Sequence, residues 1–140
     1  MSTNSSFYLE KLYPLQNEVL QIVSSLDTGF YLTGGTAVSR AYCHHRFSDD
    51  LDLFVNDHPQ FTLWGERIVA ALTKQSEWQC QVIQKDEQFF RLNLSWQEVW
   101  LKIDLVNDVP AHIGEIKNHP ELGRVDSVEN LFANKLSALI

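Results

Sequence analysis

Apolar residues recur along this chain first at helical spacing and then at strand spacing, and the switches between the two periods lay out its elements. Leu15, Val19, Ile22, Val23 and Leu26 stand three and four residues apart behind Pro14, a proline placed as in a first helical turn. Asp27, Thr28 and Gly29 end that helix. A short strand is predicted over 30–33, followed by a Gly-Gly pair and a short helix from Thr36 to about position 44, with Ala37, Val38, Ala41 and Tyr42 on its inner face. A second strand follows over 51–55. Asp57 and Pro59 supply helix-start chemistry, and Phe61, Trp64, Ile68, Ala71 and Leu72 mark the inner face of a helix ending near Gln75. Alternation over 78–84, 89–96 and 99–106, with short polar links between, predicts three strands in an antiparallel meander. The run Asp126-Ser127-Val128-Glu129 reads as a capping box, so a last helix is expected from about Ser127 to Ile140 with Leu131, Phe132, Leu136 and Leu139 as its apolar stripe. No stop signal follows it, and the expectation is a shortened chain.

The chemistry concentrates at the second strand. Successive side chains of a strand point to opposite faces, so Asp50 and Asp52 project together, ~6.5–7 Å apart, while Leu51 and Leu53 face the core. Two acids aimed at one point suit a hard divalent cation. Gly34 and Gly35 let the backbone turn tightly, and the N–H groups opening the next helix suit phosphate. Thr36 adds an N–H and a hydroxyl.

This stretch resembles the polymerase-β-like nucleotidyltransferases, and within them the AbiEii/AbiGii type of toxin. The superfamily pattern is a hydrophobic strand, Gly-Gly or Gly-Ser, a helix, then Asp-hydrophobic-Asp-hydrophobic, met here by Gly34, Gly35 and Asp50-Leu51-Asp52-Leu53. The narrower AbiEii-like wording is met by Leu32 to Val38 with His45, Arg46, Ser48, Asp50, Asp52, Leu53 and Phe54. Either half alone arises by chance; in order and in strand and helix context they are specific. The resemblance implies an α/β (α+β) core, a mixed and mainly antiparallel sheet flanked by helices, in a single domain over 1–140 that lacks the C-terminal helical part of the family.

Two-metal phosphoryl transfer needs a further carboxylate. Alternation over 99–106 puts Trp100, Lys102, Asp104 and Val106 on one face, and Asp104, amid apolar residues, needs a partner for its charge. It matches the third acid of the family, with Asp108 the alternative. The resemblance then implies Asp50, Asp52 and Asp104 as catalytic and metal residues for two Mg²⁺ (Mn²⁺ also suits), with an NTP as substrate. Gly34, Gly35 and Thr36 would cradle its phosphates. Arg46 would meet a phosphate or support the acidic loop; Lys102 would reach the triphosphate or neutralise the acids; Lys135, on the last helix, would contact phosphate. His44 and His45 have no second ligand pair at zinc spacing and suit a helix end. Asp49 reads as a solvated acid, and the four tryptophans as core or half-buried.

Composition narrows the setting. With 140 residues, 44% hydrophobic and 21% charged, the chain can bury one real core. A formal net charge of −7 argues against a nucleic-acid coat protein, though not against a local basic cleft. Cys43 and Cys80 form no metal or redox motif, and no signal or membrane-spanning run is present, so a reduced cytoplasmic setting without membrane is expected. The resemblance implies an RNA end or a protein hydroxyl as acceptor and a toxin–antitoxin or phage-defence context with an antitoxin partner. The alternatives are a catalytically weak nucleotide binder or an antitoxin-bound interaction module; an uncovered last helix also favours homo-oligomers.

Overall fold

The computed structural model describes residues 2–42, 47–110 and 112–139, with side chains over 5–42, 47–110 and 112–134. Helix α1 (Ser2–Phe7) runs through a widened π-helical stretch, Tyr8–Leu12, into α2 (Tyr13–Ser25). Pro14 sits in the first turn of α2 as expected, and the helical path extends on its N-terminal side where the sequence pattern is polar. Asp27 takes a positive φ of 54° and turns the chain into β1 (Tyr31–Thr33). Then come α3 (Gly34–Ala37) with a π-helical continuation, Val38–Tyr42, β2 (Leu51–Asn56), α4 (Phe61–Thr73), β3 (Gln79–Lys85), β4 (Phe89–Trp96) and β5 (Val99–Asp108). Two short strands, β6 (Lys117–His119) and β7 (Gly123–Val125), precede α5 (Val128–Leu139).

All seven strands join one sheet in the order β3-β4-β5-β2-β1-β7-β6. The expected meander is present as β3-β4-β5, both pairings antiparallel. Its last strand lies parallel to β2, and β1 runs antiparallel to β2 and parallel to β7. The sheet is therefore mixed and mainly antiparallel, as expected. Strands β6 and β7 escape the sequence pattern because Lys-Asn-His and Gly-Arg-Val offer no apolar alternation and owe their pairing to the sheet edge they meet.

Alternation along β2 buries Leu51, Leu53 and Val55 and leaves Asp52, Phe54 and Asn56 half-buried on the other face. Phe90, Leu92, Leu94, Leu101, Ile103 and Leu105 continue the inner face and join Leu15, Val19, Ile68 and Leu72 from α2 and α4 in one core. Gly65 lets α4 lie against the sheet, since a Cβ there would stand 2.8 Å from the Phe90 ring.

Candidate active site

Register aligns the chemistry in one row across four strands. Thr33 lies opposite Asp52, Asp52 opposite Asp104, and Asp104 opposite Arg91, so β1, β2, β5 and β4 each contribute one polar residue on the face away from the core. Parallel pairing of β2 with β5 brings two acids 52 residues apart in sequence side by side. Asp50 stands immediately before β2, where the loop ahead of it is pinned. Gln16, fully buried on α2, donates to the Ser48 and Asp49 carbonyls at 3.2 and 2.9 Å, and its own oxygen accepts from Arg40.

Burial first, and then the charges of Asp104 and Asp50, push the Asp52 carboxyl up to about 6; Lys102 and Arg91 oppose that shift. The other two acids have cations of their own. Arg91 holds both Asp104 oxygens at 2.9 and 3.1 Å, and Lys102 meets Asp50 at 3.3 Å. Among the described residues no three His, Cys, Asp or Glu side chains are already drawn together as a ligand set. Like charges repel, and Asp50 and Asp104 are each paired with a cation instead. Residues 50, 52 and 104 nonetheless offer the right donors for a hard divalent ion: carboxylate oxygens only, around a half-buried carboxyl whose proton affinity is raised first by burial and then by its two acidic neighbours.

The glycine turn lies directly against this row. Gly34 has φ +74°, and a Cβ on it would fall 2.4 Å from Asp52 Oδ2. Backbone conformation and space therefore both demand glycine there. Gly35 has no such φ, and a Cβ would come only within 3.3 Å of Ser48 Oγ. Thr36 is placed differently from the expectation. Its hydroxyl is fully buried, donates to the Asp50 carbonyl and lies 2.8 Å from Ser48 Oγ, so it braces the acidic loop rather than facing a ligand.

Beside the turn opens a cleft of about 710 Å³, bounded by Gly34, Gly35, Ser39 and Tyr42 on one side and by Val128, Leu131 and Phe132 of α5 on the other, with Asp52 and Phe54 at its floor. Arg46 lies outside the described residues, and Lys135 stands on α5 with its side chain likewise outside them. Asp108, the alternative third acid, ends β5 on the cleft side, four pairing steps beyond Asp104.

Sequence reasoning missed Arg91. Its signal was a charge within the alternating run Phe89-Phe90-Arg91-Leu92, but only the register shows that it faces Asp104. It also misplaced the helix cap: Ser127 Oγ accepts the Asn130 N–H at 3.0 Å, so the cap is Ser127, and Asp126 is buried one residue ahead of it.

The family described as nucleotidyl transferase AbiEii toxin, type IV toxin–antitoxin system, matches residues 19–140. The chain belongs to this AbiEii family. Solved structures of the same fold include JHP933 from Helicobacter pylori, 20% identical with TM-score 0.63 over 92% of this chain and 58% of that one. Another is MenT4, a nucleotidyltransferase toxin from Mycobacterium tuberculosis H37Rv, 18% identical with TM-score 0.64 over 91% of this chain and 51% of that one. This AbiEii chain thus spans between half and three fifths of the length of these structures. No curated protein matches the sequence. Among the described residues no helix is long and apolar enough to cross a membrane.

Proposed function

We propose that the chain is the catalytic core of a nucleotidyltransferase that moves a nucleoside monophosphate from an NTP to an acceptor hydroxyl, on an RNA end or a protein, within a toxin–antitoxin pair. The observation that carries this reading is the row of Asp52 and Asp104 beside a glycine turn of positive φ that opens onto a nucleotide-sized cleft. Asp50, Asp52 and Asp104 would hold divalent ions, Mg²⁺ or Mn²⁺. Such ions, when bound, polarise the phosphoryl oxygens and favour the deprotonated acceptor.

The chain's own residues supply the rest. Gly34 and Gly35 present bare backbone to the β- and γ-phosphates. Thr36 and Gln16 hold the loop that carries Asp50, so its carboxylate keeps its place beside Asp52. Lys102 and Arg91, paired with Asp50 and Asp104, are the nearby cations able to turn to a phosphate oxygen when those acids take another partner. The apolar wall of Tyr42, Leu131 and Phe132 suits a base and excludes water from the sugar end of the cleft.

Incubation with each labelled NTP, Mg²⁺ and total cell RNA or lysate tests the reading, with Asp52→Asn as control. Label transferred to a macromolecule, with pyrophosphate released, supports it. Neither NTP binding nor transfer at any divalent-ion concentration would refute it.

A further inference from the structure

Asp126 is fully buried, and its carboxylate gathers donors from three parts of the chain. Oδ2 accepts from Thr33 Oγ1 at 2.7 Å and from Asn130 Nδ2 at 2.9 Å. Oδ1 accepts the Ser127 N–H at 2.8 Å and lies 2.7 Å from His112 Nε2. The same residue's N–H donates to the Leu32 carbonyl at 2.8 Å, and its carbonyl accepts from the Tyr42 hydroxyl at 2.5 Å. Thr33 is the residue before the glycine turn and the neighbour of Asp52 in the row. Tyr42 closes the helical segment that follows that turn, and Asn130 is in the first turn of α5. Both walls of the cleft are thus tied to one buried charge.

We propose that Asp126 is a positioning residue for the nucleotide cleft, setting the gap between the glycine turn and α5 and coupling occupancy of the cleft to the seating of that helix. This rests on the nucleotide reading of the site. A buried carboxylate is costly unless every lone-pair direction is used, and here donors meet both oxygens. An amide in its place has a single acceptor oxygen, and its NH₂ group would face another donor. A carboxylate alone can therefore hold Thr33 and Asn130 on one oxygen while the other takes Ser127 and His112.

Thr33 separates this role from bulk stability, because Thr33→Val keeps shape and loses only the hydroxyl, while Thr33→Ser keeps the hydroxyl. The experiment measures the affinity of each Mg²⁺–NTP together with backbone hydrogen exchange of α5, with α4 as the internal reference. For Thr33→Val, NTP affinity falls roughly tenfold, the scale of one hydrogen bond to a charge, and the α5 amides lose their nucleotide-dependent protection while α4 is unchanged. Thr33→Ser behaves like the wild type. Asp126→Asn, if it folds, shows the same uncoupling more strongly; if it unfolds, the Thr33 pair still decides. Wild-type binding with equal affinity and equal α5 protection in Thr33→Val overturns the inference and leaves the functional reading standing. Failure of the wild type to bind any NTP overturns both.

Discussion

Asp52 carries a conflict that stability and activity resolve in opposite directions. Its carboxyl is pushed up to about 6 by burial and by two neighbouring acids, above the ordinary carboxylate value near 4. The folded chain therefore binds that proton more tightly than the unfolded chain, and the ionised side chain opposes folding at neutral pH. The penalty is full above about pH 6 and fades as pH falls from there towards 4. Asp52→Asn is expected to be more stable than the wild type by about 1–2 kcal/mol at pH 7.5, after allowing for screening, with the difference vanishing near pH 4. The same variant is expected to lose Mg²⁺-dependent NTP binding. Thermal melts across pH check the first part and titration calorimetry the second. Gly34→Ala should cost about 1–3 kcal/mol, because it meets both a positive φ and the Asp52 carboxylate. Gly35→Ala should fold nearly as well as the wild type, and comparison of their denaturation midpoints decides between the two glycines.

At the scale of elements, the capping of α5 is open to a direct test. Ser127 caps the helix through the Asn130 N–H, and its hydroxyl also donates to the Ile113 carbonyl. Ser127→Ala is expected to cost about 1–2 kcal/mol, read as a lowered melting temperature, while Glu129→Ala costs little, since the box partner expected from the sequence is not the residue that closes the cap. Much else at this scale was legible beforehand. The first long helix, the glycine turn, the acidic strand and the meander follow from periods of 3.6 and 2 that tertiary contacts reinforce. What stayed illegible has a common cause. Strands β6 and β7, the Arg91 clamp and the Asp126 junction depend on pairings between distant segments, and local pattern carries no register. Thr36 shows the converse: it follows the glycine pair directly in sequence, yet its hydroxyl turns inward, because the carbonyl of Asp50 lies within reach only once β1 and β2 pair.

For the molecule as a whole, binding must appear as stability. A ligand that takes only the folded state at one hundred times its Kd adds about 2.7 kcal/mol. Mg²⁺ and a cognate NTP together should therefore raise the melting temperature by several degrees, while either alone, or both with excess chelator, should raise it little. Thermal shift with all four NTPs checks this, and an identical shift with NTP in chelator would count against a metal-dependent site.

The central row also sets a timetable for biosynthesis. Asp52 leaves the ribosome long before its strand neighbour Asp104, and the carboxylate of Asp126 comes later still. A nascent chain therefore carries the glycine turn and two acids through the next 52 residues with no third acid, and for longer still with no α5 beside the cleft. Pairings that span such separations form late and slowly in folding. The row is therefore completed only once β5 has been made, and the cleft is bounded on both sides only once α5 follows it.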